Sequence, residues 1–106
     1  MKTTILDPQV DAELDDAAAW YDEQKEGLGA EFLDAISAAV DTVRRLPRAF
    51  PIFKNTSIRK FVLRRFPYVI FYEEFQLHIS IYAVAHAKRK PGYWLGRVKD
   101  AGASEE

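Results

Sequence analysis

Apolar positions recur with helical spacing through the first half of the chain and with strand spacing through the second. Leu14, Ala17, Ala18 and Tyr21 fall at i, i+3, i+4 and i+7, which predicts a helix with one apolar stripe ending near Lys25. Asp7 is a good N-cap for it, and Pro8 suits the first helical position, where its missing N–H would have no partner anyway. Asp11 and Glu13 lie in the first turns, where the helix dipole favours negative charge. Gly27 and Gly29 break the run. Phe32, Leu33, Ile36, Ala39, Val40 and Val43 then form the clearest helical stripe in the sequence. It stops at Leu46-Pro47, because a proline disfavours α geometry in the residue before it. Two helices joined by so short a link make an antiparallel αα-hairpin.

Lys2 to Leu6 reads as a short strand ahead of the hairpin, and Arg48 to Thr56 as a loop behind it. Ile58 to Arg65, Tyr68 to Glu74 and Leu77 to Ala85 are rich in Ile, Val, Phe and Tyr, with connections short enough for hairpins. Pro91-Gly92 ends this meander, and Tyr93 to Lys99 can form one or two helical turns. The expected fold class is α+β: a β-α-α-β-β-β order, with an antiparallel sheet, the αα-hairpin on one of its faces and a short C-terminal helix. Residues 1–99 are expected to form one domain, and the small polar tail 100–106 to be disordered.

Composition narrows the function. Hydrophobic residues make up 48% of the chain, an ordinary globular value. With no cysteine there is no disulfide framework or thiolate chemistry. Two histidines without suitably spaced carboxylates make no zinc site, so no metal or cofactor is expected. The apolar run near the N-terminus is too short for a signal peptide and no stretch is long enough for a membrane span, so the expected location is the cytoplasm. The net charge of −1 conceals an asymmetry: residues 1–43 hold two bases and eleven acids, whereas residues 44–99 hold thirteen bases and two acids. Either the two halves neutralise each other across the fold, or the second half presents an electropositive face to an acidic partner or a nucleic acid.

No phosphate-binding glycine loop, nucleophile elbow or metalloprotease motif occurs, and Ser37, Ser57, Ser80 and Ser104 lack convincing His/Asp partners. His78 is expected at the surface or half-buried. The acids of the first helix (Asp11, Glu13, Asp15, Asp16, Asp22 and Glu23) are expected to form a solvated face. Two basic clusters remain: Arg59-Lys60 with Arg64-Arg65, and His86 through Lys88, Arg89 and Lys90 to Tyr93, Trp94 and Arg97. Bases interleaved with aromatics suit a phosphate- and base-stacking surface, and equally a protein-binding hot spot. Alternatively, Tyr93 and Trp94 pack a short helix onto the sheet while the lysines stay solvated.

Leu46-Pro47, the run Leu63-Arg64-Arg65-Phe66-Pro67-Tyr68-Val69-Ile70-Phe71-Tyr72, and the run from Val84 through His86, Arg89 and Pro91 to Tyr93-Trp94 together resemble the RelE/ParE toxin superfamily. They are most similar to its ParE-type, plasmid-stabilisation branch. The resemblance implies the toxin of a type II toxin–antitoxin system, held in a hetero-oligomer by a cognate antitoxin. It also implies one of two activities. RelE-like members cleave mRNA in the ribosomal A site; ParE-like members bind DNA gyrase and trap it on cleaved DNA.

RNA cleavage by 2′-OH attack needs cations around the scissile phosphate and a group that moves a proton. Lys60 matches the first of two lysines in the RelE-like pattern, but the second position is Val62, and the arginine expected after Tyr68 is Val69. Arg89 (or Lys88) and Tyr93 fill the last two positions. One preorganised donor is worth roughly 2.7–4 kcal/mol of transition-state stabilisation, so losing two cations favours the ParE-like reading. That reading has no catalytic residue and meets nucleic acid only indirectly, through gyrase. Its expected contact residues are Arg64, Arg65, His86, Lys88, Arg89, Tyr93, Trp94 and Arg97. The ribonuclease alternative would use Lys60, Arg89 and Tyr93, and a third possibility is a toxin-fold binding module without toxicity.

Overall fold

The computed structural model describes residues 2–90 and 92–98. Its elements follow the order β1 (Thr3–Leu6), α1 (Pro8–Gln24), α2 (Leu28–Arg45), β2 (Arg59–Val62), β3 (Tyr68–Glu74) and β4 (His78–His86), ending in a 3₁₀ turn at Leu95–Arg97. Lys99 and the tail 100–106 lie outside the described residues. No helix is long and apolar enough to cross a membrane.

Asp7 caps α1 as expected: its carboxylate accepts from the Gln9 N–H at 2.9 Å, with Pro8 at the first helical position. The link between the helices is tighter than the sequence suggests. Gly27 turns the chain at φ 87°, and a Cβ on Gly29 would lie 2.4 Å from the Ala18 carbonyl oxygen. The Asp22 carboxylate accepts from the Gly29 N–H at 2.8 Å, which satisfies one of the otherwise unpaired donors of α2. Asp22 therefore has a partner in the fold, unlike the purely solvated acid expected.

The four strands are ordered β1-β4-β3-β2. β2, β3 and β4 form the expected antiparallel meander, with Lys60 opposite Phe71, Val62 opposite Val69, and Val69 opposite Ala85. β1 instead runs parallel to β4, Thr3 opposite His78 and Leu6 opposite Ile81, so the sheet is mixed rather than wholly antiparallel. β2 is shorter than the predicted Ile58–Arg65, whereas β3 has the predicted bounds and β4 starts one residue later.

The sheet is covered on both faces. On one, Val10, Ala17, Tyr21, Phe32, Ile36 and Val43 of the hairpin pack onto Ile70, Tyr72, Ile79, Ile81 and Val84. Leu33, part of the predicted stripe, is 40% exposed. On the other face a smaller core gathers Phe53 and Ile58 from the loop region, Phe71, Tyr82, Ala83 and Ala85 from the sheet, and Trp94. The register shifts between Phe71, opposite Ala83, and Tyr72, opposite Ile81, leaving Tyr82 as a bulged residue. The bulge switches the phase of alternation. Before it Ile79 and Ile81 face the hairpin; after it Val84 does, while Tyr82, Ala83 and Ala85 join the second core. His78, expected nearer the surface, is buried, shares a 2.9 Å hydrogen bond with Ser80 and stacks on Phe75.

Candidate binding site at the end of the sheet

Residues facing one side of β2, β3 and β4 converge where the meander meets the C-terminal segment, and they enclose a pocket of about 160 Å³. Lys60 and Val62 from β2, Val69 and Phe71 from β3, and Ala85 from β4 share this face by register. Phe53, Phe71, Ala85 and Trp94 are buried and form its base. His86 at the end of β4, and Arg89, Lys90 and Tyr93 beyond the turn that follows, line it with Lys60 at the more exposed edge. The His86 Nδ1 accepts from the Lys88 main-chain N–H at 3.1 Å, which tightens that turn. The result is an apolar recess with a basic rim.

Two guanidiniums lie over the Tyr93 ring, that of Arg89 at 3.7 Å and that of Arg97 at 5.2 Å from its centre. Its hydroxyl donates to the Glu13 carboxylate of α1. Glu13 also accepts from Arg97 Nη1 at 3.2 Å and from the Val84 main-chain N–H at 3.3 Å. Arg97 in turn donates to the Tyr82 carbonyl at 2.8 Å and to the Gln9 side chain at 3.1 Å. Burial, then the Glu13 hydrogen bond and charge, push the Tyr93 phenol well above its ordinary pKa, with the two arginines opposing them. Tyr93 is thus held as a neutral donor to a carboxylate.

These positions correct several expectations. Trp94 is fully buried against Phe53, Phe71 and Tyr82, so it is a core residue and not an exposed contact. The Arg97 side chain is only 10% exposed and committed to Glu13, Tyr82 and Gln9. Arg64 and Arg65 do not join the pocket. They border a separate groove between α2 and β2, lined by Ala35, Ala38 and Phe61, where Arg65 pairs with Glu31 at 2.6 Å. Lys60, His86, Arg89 and Tyr93 do come together, and Lys88 is exposed beside them.

Glu13 was expected in a solvated face and is instead the hub that ties α1 to the C-terminal segment. A signal for it was present: Glu13 falls three residues after buried Val10 and four before buried Ala17, on the inward stripe. Phe53 carried no such signal, because a loop has no periodicity to betray an inward side chain. Among the described residues there is no group of three or more His, Cys, Asp or Glu side chains placed to hold a metal ion.

Comparison with known proteins agrees with this architecture. A solved chain described as the "Chromosomal ParDE TA system from P. aeruginosa" superposes with a TM-score of 0.64 at 17% identity, covering 83% of this chain and 98% of that one. A search of the curated proteins finds no match. The model of one family, the ParE toxin of type II toxin–antitoxin system, parDE, matches residues 4–91. By that match, and with the fold in agreement, the chain belongs to the ParE toxin family of type II toxin–antitoxin systems.

Proposed function

We propose that this protein is a cytoplasmic toxin that acts by binding, with DNA gyrase as its target and a cognate antitoxin as its neutralising partner. The observation that carries this reading is the state of the would-be catalytic cluster. Two positions where RNA cleavage would need cations hold Val62 and Val69, side by side across the β2–β3 ladder. The Tyr93 hydroxyl, which a ribonuclease would use to move a proton, is given to Glu13. Exposed Lys88, Arg89 and Lys90 remain available as contacts, with Lys60 at the pocket edge. Such a basic, aromatic-backed patch suits capture of another macromolecule.

The test is a supercoiling assay with purified gyrase. Block of supercoiling with accumulation of cleaved DNA is the expected result; normal gyrase activity at excess toxin would defeat the proposal. One observation favours a second reading, ribosome-dependent mRNA cleavage: Lys60, Arg89 and Tyr93 line a single pocket. A-site cuts in a translation extract would establish it. A toxin-fold module without toxicity is disposed of by growth arrest on expression without the antitoxin. In every case the partner expected is an acidic antitoxin segment that orders on binding.

A further inference from the structure

Two features of the sheet-end pocket point in one direction. Its base is apolar and the pocket is small: Phe53, Phe71, Ala85 and Trp94 lie under a volume of about 160 Å³, room for one large apolar side chain but not for a helix. Its rim is positively charged. Among the described residues no carboxylate pairs with Lys60 or Lys90, and Arg89 is only 4.0 Å from an already shared Glu13 oxygen.

We propose that this pocket receives a single apolar anchor side chain from the antitoxin's acidic segment, with flanking carboxylates on Lys60, Arg89 and Lys90. The inference rests on the antitoxin-bound toxin described above and assigns the place and chemistry of one contact. An apolar residue between acids is what the recess and rim select together. A purely acidic segment leaves the recess empty, and a purely apolar one leaves Lys60 and Lys90 unmatched. The arrangement also places the antitoxin on the same basic patch offered to the target, so that binding of one excludes the other.

The test uses the Trp20→Phe protein, in which Trp94 is the sole tryptophan, and follows its emission during titration. The probes are short capped peptides with acidic residues around a central phenylalanine, the same with central alanine, and a lysine-flanked phenylalanine, together with adenosine monophosphate. The acidic phenylalanine peptide is expected to perturb Trp94 and to bind about tenfold tighter than its alanine counterpart, the difference expected from burying an aromatic side chain. Lys60→Glu and Lys90→Glu should each weaken it several-fold, and Arg64→Glu, in the separate groove, should leave it unchanged. Equal binding of the phenylalanine and alanine peptides, equal binding of the lysine-flanked peptide, or preference for the nucleotide would overturn the proposal. The arms are separable from the function itself. Growth arrest and gyrase inhibition with an indifferent pocket sink only this inference, whereas a discriminating pocket in a harmless protein sinks only the toxin reading.

Discussion

The Arg97 guanidinium donates to the main-chain carbonyl of Tyr82 at 2.8 Å, so the C-terminal segment is anchored on the bulge in the central strand. A bulged residue leaves the regular ladder, and its free carbonyl is a natural acceptor for an arriving cation. The same guanidinium reaches Glu13, so one arginine joins α1, β4 and the turn that carries Arg89 and Tyr93.

Removing that anchor should be expensive. Arg97→Ala leaves the mostly buried Glu13 carboxylate without its main counter-charge, and a loss of about 3 kcal/mol is expected from denaturant unfolding. Glu13→Gln in the same background should restore part of it, giving a non-additive double-mutant cycle. Additive losses would mean that the two side chains do not act as a pair.

Trp94 and Arg89 lie in the same C-terminal segment but have opposite roles. Trp94→Ala empties the centre of the second core and should destabilise the protein by roughly 3–5 kcal/mol. Arg89→Ala, at a side chain 56% exposed, should change stability by less than about 0.5 kcal/mol while weakening target or antitoxin binding. Thermal melts paired with binding measurements separate the two.

Restoring the absent cations tests the binding reading directly. Val62→Lys with Val69→Arg supplies charge at adjacent ladder positions, and Val62 is 59% exposed and tolerant of it. The double variant is expected to fold and yet give no A-site cleavage in a translation extract, because the Tyr93 hydroxyl keeps its proton and stays engaged with Glu13. Cleavage by this variant would show that charge alone was lacking.

Glu74 gives the fold an acid-sensitive point. Burial would raise its pKa, but hydrogen bonds and charge from Arg48 at 2.9 Å and Lys2 at 3.1 Å outweigh it, and the carboxyl is held below the ordinary glutamate value. A depressed folded-state pKa stabilises above the unfolded value, and the gain is lost as pH falls through the folded one. Glu74→Gln should therefore remove about 1 kcal/mol at neutral pH and flatten the acid limb of the stability curve below about pH 4.5. An unchanged acid limb would assign the sensitivity to other carboxylates.

Gly29 tests the helix link. Gly29→Ala drives a Cβ into the Ala18 carbonyl and the Asp22 side chain, with an expected loss of about 2 kcal/mol on thermal or denaturant unfolding. Gly27→Ala meets open space and should lose only about 1 kcal/mol, from its positive φ. Equal losses would mean that backbone conformation alone decides the link.

What the sequence determined by itself is local: the Asp7-Pro8 start of α1, the α2 stripe ending at Leu46-Pro47, the bounds of β3 and the meander. Caps, prolines and periodicity act over a few residues, so short windows carry them. The tertiary structure alone decided the pairing of Thr3 with His78, the bulge at Tyr82, the burial of Trp94, the tie of Glu13 to Tyr93 and Arg97, and the separation of Arg64 and Arg65 from the pocket. Each of these depends on which distant segment arrives at a face. A basic or aromatic residue reads the same in sequence whether that face is later covered or left to solvent, and only the packing of the C-terminal segment onto the second side of the sheet distinguishes the two.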